Sequence, residues 1–447
     1  MVSGGARAVA RCDALGVTPY SDAPDMLVRF FLTPAHAATQ VAIAGWMAEA
    51  GMATRIDAAA NLIGRYEGIE PGAPALLIGS HIDSVRDAGR YDGPLGVMLG
   101  IEAVAALHAA GRRMWFPIEV IAFGDEEGSR FPAAMLTSRA VAGVLETGAL
   151  DVADGDGVTL GEALAAFAPS PLRGEGWGEG ESRLAIHPDR PLSQPSPRRG
   201  EGFIHSFLSA ARKPHSTLAY LEAHIEQGPI LDSENLAVGT VTGIASQLRY
   251  TVGVEGMAGH AGTTSMPLRR DALAAAAEMV LAVERVAGED ASDVVATVGR
   301  LSAAPGAPNV IPGRVDFTID IRSGDGARRD HAAAAIMAEL AGIAARRQVA
   351  LVSELVQDLP PSPCDPALMD LLDDATAAAG QPVRRLVSGA AHDAMIMAAL
   401  CPMAMLFIRC ARGISHNPAE HVDAADAAIA LEVMLGFIQR LGEHGDA

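Results

Sequence analysis

The sequence has few cysteines and no long uninterrupted apolar run, and each absence excludes a class of protein. The four cysteines, Cys12, Cys364, Cys401 and Cys410, stand far apart or lack C-x-x-C spacing, which argues against a disulfide framework and a thiolate zinc site. No run approaches the roughly 20 apolar residues of a membrane-spanning helix. The first residues also lack the apolar core of a secretory signal. We therefore expect a cytoplasmic protein with no membrane partner.

Positive charge is also scarce, with 34 Lys and Arg against 54 Asp and Glu and a formal net charge of −20. Because phosphate backbones are bound by basic patches, nucleic acid is not expected as a partner. The length of 447 residues exceeds the size at which one hydrophobic core stops growing. The sequence therefore predicts two domains.

Short apolar runs alternate with alanine-rich helical stretches over much of the chain, and this pattern is typical of buried parallel strands in an α/β sheet. The runs are residues 75–78, 118–123 and 403–408, with a helix predicted at 96–110. A different pattern begins near Gly243. Strands starting at Arg249, Val294 and Val315 bracket helices at 271–286 and 330–346, which predicts a small α+β domain. The prediction is a mostly parallel-sheet domain of residues 1–243 and 355–447, with residues 244–354 inserted.

Residues 169–202 are rich in proline and glycine and contain the near-repeat SPLRGEG and SPRRGEG. Such a composition does not bury enough apolar surface to offset its ordering entropy. We interpret it as a flexible surface insertion, although its arginines offer a docking site for a partner as the alternative.

Polar clusters follow the predicted strands, where an open α/β sheet binds its ligands. Each cluster alone has an ordinary explanation, such as a surface histidine or a solvated helix start, but together they favour a cation site. Histidine and carboxylate without cysteine suit Zn²⁺ or Mn²⁺, and a carboxylate such as Asp92 can bridge two ions about 3.5–4 Å apart. The clusters are His81 with Asp83, the acids Asp125, Glu126 and Glu127, the group His224, Glu226 and Gln227, and His416.

Eight motifs give the chain a resemblance to the metal-dependent amidohydrolase branch of the M20 peptidase family. That branch contains allantoate amidohydrolases, N-carbamoyl-L-amino-acid hydrolases and β-ureidopropionases. The likeness covers nearly the whole chain apart from residues 169 to about 215. The motifs are GSHIDSV, RYDGPLGV, GDEEGSRFP, LEAHIEQGP, GHAGTT with RRDA, NVIPGRVDFTIDIR, SGAAHDA and GISHNPAE.

The resemblance implies a catalytic centre with two divalent ions, Zn²⁺ or Mn²⁺. It implies that Asp92 bridges the ions, that Glu126 is the general base, and that Asp83 orients a histidine ligand. The position of His224 carries a carboxylate in aminopeptidase members, which points away from peptide substrates. The implied metal ligands are His81, Asp92, Glu127, His224 and His416.

The resemblance also implies a function for the inserted domain, a ferredoxin-like lid that forms a homodimer. His260 would reach the partner's active site and stabilise an oxyanion, with a simple loop residue as the alternative. Arg322 would bind the substrate carboxylate, with a surface salt bridge to Asp320 or Asp325 as the alternative. The implied substrate-binding residues are Gln227, Asn309, Arg322 and His392, the last with a packing role as its alternative.

Two positions depart from the motifs of that branch. Ser265 stands where proline is usual, which we expect to loosen the loop carrying His260. Ala391 replaces a glycine expected close to the substrate. Neither change removes an implied ligand or the implied base.

The expected reaction is cleavage of the ureido C–N bond of allantoate, a small ureido carboxylate, with release of ammonia and CO₂. An N-carbamoyl-L-amino acid is the alternative substrate, followed by N-carbamoyl-β-alanine. An alternative of another class is an inactive relative that senses a ureide or a metal, but Glu126 and the implied ligands are all present.

Overall fold

The computed structural model describes residues 3–146, 148–167, 207–213, 215–289 and 292–444. The predicted insertion at 169–202 lies outside these residues. Within them, every helix is too short or too polar to cross a membrane.

The chain divides into two compact units. One comprises Met1–Val241, Cys364–Leu386 and His392–Ala447, and the other comprises Thr242–Pro363 and Val387–Ala391. The boundary drawn from sequence after residue 354 falls inside a strand, Ala350–Leu359, whose pairing with Ser246–Glu255 continues through Leu359. Residues 355–363 therefore group with the second unit, because a strand is not divided in the middle of its ladder.

The first unit contains a large sheet with a parallel centre. Strands β4, β3, β5 and β16 lie side by side in that order and run parallel, whereas β1, β2 and β6 add antiparallel edges. The prediction of an α/β protein with a mostly parallel sheet is confirmed for this centre, although the antiparallel edges were not predicted. The bounds are β1 Ala53–Ile56, β2 Leu62–Tyr66, β3 Ala75–His81, β4 Ile118–Phe123, β5 Thr217–Ile225, β6 Val238–Ile244, β15 Arg385–Ser388 and β16 Met403–Ile408.

Helices cover this sheet, and the helix Pro94–Ala109 is buried along most of its length. It starts two residues before the predicted position because Pro94 occupies the first turn, where proline is favoured. The helix contacts β3, β4 and β5, so it fixes the strands beside the loop that carries Asp92. The other helices of the unit are Gly4–Ala14, Pro34–Glu49, Leu136–Ala142, Leu160–Ala166, Ile230–Ser233, Pro366–Ala378, Asp393–Met397 and Ala424–His444, with short 3₁₀ turns at Ala149–Asp151 and Ala411–Gly413.

The second unit is an antiparallel sheet with two long helices. Along β12, Arg314–Ser323, every second side chain is buried, which matches the period of a strand with one face on a core. The side chain of Asp325 accepts the backbone N–H groups of Ala327 and Arg328, so the second helix begins before the predicted residue 330. The elements are β7 Ser246–Glu255, β8 Gly259–His260, β9 Val295–Thr297, β10 Leu301–Ala304, β11 Val310–Ile311, β12 Arg314–Ser323, β13 Ala350–Leu359, β14 Ser362–Pro363, the helices Ala272–Glu289 and Gly326–Arg347, and a 3₁₀ turn at Met266–Leu268.

Candidate metal centre

The polar clusters meet at the carboxyl edge of the first unit's sheet. The parallel register pairs His81 at the end of β3 with Phe123 at the end of β4, and His224 near the end of β5 with Phe407 of β16. The acids 125–127 directly follow β4, and His416 follows β16. Since the ends of parallel strands share one edge, residues far apart in the sequence are brought together there.

Asp92 lies between two groups of potential metal ligands. Its Oδ1 is 3.1 Å from His224 Nε2 and 3.8 Å from His81 Nε2. Its Oδ2 is 3.1 Å from His416 Nε2, which is itself 3.4 Å from Glu127 Oε1. In each group the candidate ligand atoms lie within 4.8 Å of one another, and Asp92 is common to both. All five residues that the resemblance implied as ligands are therefore gathered in one place.

The histidine nitrogens that face Asp92 are suited to a cation. The Nδ1 atom of His224 lies 2.9 Å from the carbonyl oxygen of Ile225. Because a carbonyl only accepts, Nδ1 carries the hydrogen and Nε2 keeps its lone pair in the neutral ring. His81 Nδ1 likewise lies 3.2 Å from the carbonyl oxygen of Asp83, and the two Nε2 atoms are 3.5 Å apart. Converging lone pairs beside a carboxylate form a donor set that fits a divalent ion.

The acids after β4 are difficult to ionise without such a cation. Burial raises the pKa of Glu127 to about 7, and the nearby charges of Asp92 and Asp83 act in the same direction. Burial also holds the pKa of Glu126 well above its usual value, with Glu127 adding to the effect against the opposing influence of His81. A bound cation would favour the ionised forms and reverse this balance. The two carboxyl groups therefore also fit a cation site.

Asp83 connects the histidine end of the site to its acids. Its carboxylate accepts the backbone N–H groups of Glu126 and Glu127 at 3.0 and 3.2 Å, and it lies 3.4 Å from His81 Nδ1. Burial disfavours the imidazolium form of His81, but Asp83 and Glu126 outweigh it, so the pKa of His81 is well above its usual value. Asp83 thus lies beside Nδ1 of His81, the ring nitrogen other than the one that faces Asp92.

Asp92 is held by residues from a distant part of the chain. Glu420 Oε1 accepts the backbone N–H groups of Tyr91 and Asp92 at 2.8 and 3.1 Å. Ser415 Oγ and Gln227 Nε2 donate to Asp92 Oδ2 at 2.6 and 2.9 Å. Sequence reasoning missed the contacts of Ser415 and Glu420, although both residues stand in the GISHNPAE motif. Gln227, which the resemblance implied as a substrate-binding residue, contacts Asp92 through its side-chain amide.

Two further buried residues adjoin His224. The ring centroid of His392 lies 4.4 Å from that of His224 and 5.9 Å from that of Phe407. His392 therefore packs between aromatic rings and lies next to the site. Glu222 was not predicted at all. Its carboxylate lies within 4.8 Å of ligand atoms of His224 and His392. The alternation of side chains along a strand was an available signal, because residues 222 and 224 share one face of β5.

The remaining predicted site residues lie in the second unit. The short β8 and β11 strands pair His260 with Val310, next to Asn309, whose carbonyl accepts the N–H of Ala261 at 3.0 Å. His260 is exposed, and its Nδ1 accepts the N–H of Gly262 at 3.1 Å. The guanidinium of Arg322 donates to Asp320 at 2.7 Å, which is the salt bridge named as its alternative.

The chain is similar to named amidohydrolases and amidases over most of its length. Residues 77–440 match the family described as Peptidase family M20/M25/M40. The N-carbamoyl-L-amino acid amidohydrolase of Geobacillus stearothermophilus is 40% identical over 90% of this chain and 90% of its own. Allantoate deiminase 1 of Glycine max is 37% identical over 97% of this chain and 89% of its own. A crystal structure of a hydantoinase/carbamoylase family amidase from Burkholderia multivorans superimposes with a TM-score of 0.84, at 33% identity over 98% of both chains.

Proposed function

Because the chain belongs to peptidase family M20/M25/M40, we propose that it is a dinuclear metal-dependent hydrolase that releases ammonia and CO₂ from allantoate. The protein is a hydrolase of C–N bonds other than peptide bonds, as its amidohydrolase and deiminase relatives are. The observation that carries the proposal is the position of Asp92, whose two carboxylate oxygens each face a different group of potential ligands.

The proposed centre holds two divalent ions, Zn²⁺ or Mn²⁺. His81 and His224 would bind one ion, Glu127 and His416 the other, and Asp92 both. When bound, such a pair lowers the pKa of a water molecule and polarises the carbonyl group to be attacked. The absence of thiolates from these groups suits metals that accept nitrogen and oxygen ligands.

Glu126 is proposed to move the proton. Its carboxyl group lies with His81 and Glu127 in one cluster, and its side chain is nearly buried. In the proposed reaction Glu126 takes a proton from the attacking water as the new C–O bond forms. It then gives that proton to the departing nitrogen as the C–N bond breaks. The remaining carbamate decomposes to CO₂ and amine. Asp83 supports this role by accepting the backbone N–H of Glu126.

Residues of the second unit are proposed to bind the substrate. The Nδ1 atom of His260 accepts a hydrogen bond, so Nε2 of this exposed residue carries a hydrogen. It is proposed to donate to an oxyanion in the active site of a second copy of this chain. One donor to a developing oxyanion is typically worth about 3–4 kcal/mol of barrier. Arg322 is proposed to bind the substrate carboxylate, since a guanidinium forms paired hydrogen bonds with that group. Asn309, Gln227 and His392 are likewise proposed as substrate-binding residues.

A homodimer formed through the second unit is also proposed. Strand β13 is the last strand of its sheet and exposes Val352, Leu355 and Val356 at 63%, 47% and 48%. Exposed apolar side chains on an edge strand favour pairing with another chain. A second copy of this chain would cover the strand by a two-fold symmetric contact.

The substrate proposal has one competitor with specific support. The higher identity to the Geobacillus enzyme favours an N-carbamoyl-L-amino acid, whereas the similarity to the soybean allantoate deiminase extends over more of the chain. Both substrates carry a terminal ureido group and a carboxylate, so the proposed centre serves either one. Allantoate remains the first choice.

Ammonia release from Mn²⁺-loaded and Zn²⁺-loaded protein tests the proposal directly. The substrates to compare are allantoate, N-carbamoyl-L-amino acids and N-carbamoyl-β-alanine. We expect turnover of allantoate to exceed that of the others. Activity confined to the carbamoyl amino acids would replace the proposed substrate. Metal-loaded protein that turns over none of them would favour the sensor and reject the enzyme.

A further inference from the structure

Glu222 is a fully buried carboxylate on β5, two residues before His224. Its Oε1 accepts a hydrogen bond from Ser80 Oγ at 3.1 Å, and its Oε2 accepts from the Tyr220 hydroxyl at 3.1 Å and the Ala394 N–H at 2.9 Å. All three donors are neutral groups. A buried carboxylate is costly unless positive charge lies close to it.

A second buried glutamate shows the contrast. Glu119 on β4 is bonded to Arg65 at 2.7 Å and also to Arg212, so arginines compensate its charge directly. The carboxylate of Glu222 instead lies within 4.8 Å of a potential ligand atom of His224. The positive charge available to Glu222 is therefore that of the neighbouring histidines and of the cation that they would bind.

The hydrogen bonds of Glu222 also connect the elements that carry the site's histidines. Ser80 immediately precedes His81 on β3, and Glu222 itself lies on the strand of His224. Ala394 lies two residues after His392, at the start of the helix Asp393–Met397. One carboxylate thus fixes two strands and a helix at the point where their imidazoles meet.

We propose that Glu222 is a positioning residue of the metal centre. It holds His81 and His224 so that both Nε2 atoms face Asp92, and its negative charge strengthens cation binding through them. This inference rests on the proposed function, since it requires the metal ions. Glu222 acts through the two histidines and touches neither ion nor substrate.

The test is metal binding by the full-length Glu222→Gln variant. The substitution keeps the size of the side chain, because its amide oxygen can accept from the Ala394 N–H while its amide nitrogen donates to Ser80 Oγ. It therefore removes the charge and leaves most of the hydrogen bonds. Affinity is measured for Zn²⁺ by competition with a chelator, and geometry by the visible spectrum of the Co²⁺-loaded protein. Loss of a partner that orients a metal ligand typically weakens metal binding about 10- to 100-fold.

We expect Zn²⁺ binding to weaken about 10- to 100-fold and the Co²⁺ spectrum to change. The thermal stability of the metal-free protein should stay close to that of wild type. The control variant is Glu119→Gln, which should lower thermal stability without changing metal affinity. A Glu222→Gln protein with wild-type Zn²⁺ affinity and Co²⁺ spectrum overturns the inference.

Two milder variants keep the inference testable if Glu222→Gln does not fold. Tyr220→Phe and Ser80→Ala each remove one donor to the carboxylate, and each should weaken Zn²⁺ binding severalfold. Unchanged affinity in both overturns the inference. If wild-type protein binds two ions and the variants bind them equally well, this inference fails alone. If wild-type protein binds none, the proposed function fails as well.

Discussion

Replacing Gly93 by alanine should disable the metal centre through a single added methyl group. Gly93 follows Asp92 and has a φ of 85°, and a Cβ built there would lie 2.6 Å from Nδ1, Cε1 and Nε2 of His81. Non-bonded heavy atoms are comfortable only at about 3.5 Å or more, so the imidazole must move by about 1 Å. The ring is fully buried and held by Asp83, which leaves it little room to move elsewhere.

The substitution should lower the rate of ammonia release more strongly than it lowers the free energy of unfolding. The positive φ of Gly93 lies in a sparsely populated region and costs an alanine on the order of 1–3 kcal/mol. A displacement of about 1 Å at a reacting centre costs on the order of 100-fold in rate. We expect Gly93→Ala to fold with a modestly lowered melting temperature, to bind less than the full complement of metal, and to lose at least that factor in ammonia release.

The control is Gly72→Ala, because Gly72 has a similar φ of 80° but, apart from its chain neighbours, none of the described residues has an atom within 4 Å of an added Cβ. It should share the backbone strain and retain metal content and activity. If the two variants had equal metal content and turnover, the contact between the added methyl group and His81 would have no effect. That result would refute the argument.

Three further predictions address the base, the pH dependence and the edge strand. Glu126→Gln should abolish turnover while mass spectrometry of the metals shows an unchanged content, and a fully active variant would refute the proton-transfer role. Burial of His36, whose ring nitrogens have no hydrogen-bond partner among the described residues, lowers its pKa to about 3 from 6.5. At a pH between these two pKa values, the unfolded chain binds a proton that the folded protein does not. The free energy of unfolding therefore falls as the pH drops below about 6.5, on the order of 1.4 kcal/mol for each pH unit. His36→Leu should remove this part of the acid sensitivity in urea unfolding at pH 7 and pH 5, and an equal loss in both proteins would contradict it. Val352→Lys, on the exposed face of β13, should shift the protein toward monomer in analytical ultracentrifugation, and an unchanged mass would argue against this surface as the interface.

The sequence predicted the sheet's buried centre well because fully buried strands carry a continuous apolar pattern. The strands Ile118–Phe123 and Met403–Ile408 were predicted with their observed bounds. The predicted strand from Ala75 stops at residue 78, whereas the observed strand continues to His81. Its last residues are polar because they enter the site, so the apolar pattern stops before the strand does. The short antiparallel strands β1 and β2 were missed, since they give only brief apolar runs.

The site was predictable where motifs carry it and unpredictable where only folding creates a contact. The motifs named the five residues that converge, including Asp92 and His416, which are 324 positions apart in the chain. They did not reveal that Glu420 would hold the backbone of Asp92 or that Gln227 would donate to its carboxylate. Those contacts depend on where the segments after β5 and β16 meet the loop after β3, and no local pattern in any of these segments encodes that meeting.

Metal stoichiometry tests the central claim most directly. Inductively coupled plasma mass spectrometry of the Zn²⁺-loaded wild-type protein should give two ions per chain, Asp92→Ala should retain neither at full occupancy, and His416→Ala should retain one. Wild-type protein that is fully active with no metal, or Asp92→Ala protein that still holds two ions, would contradict the shared position of Asp92 on which the account depends.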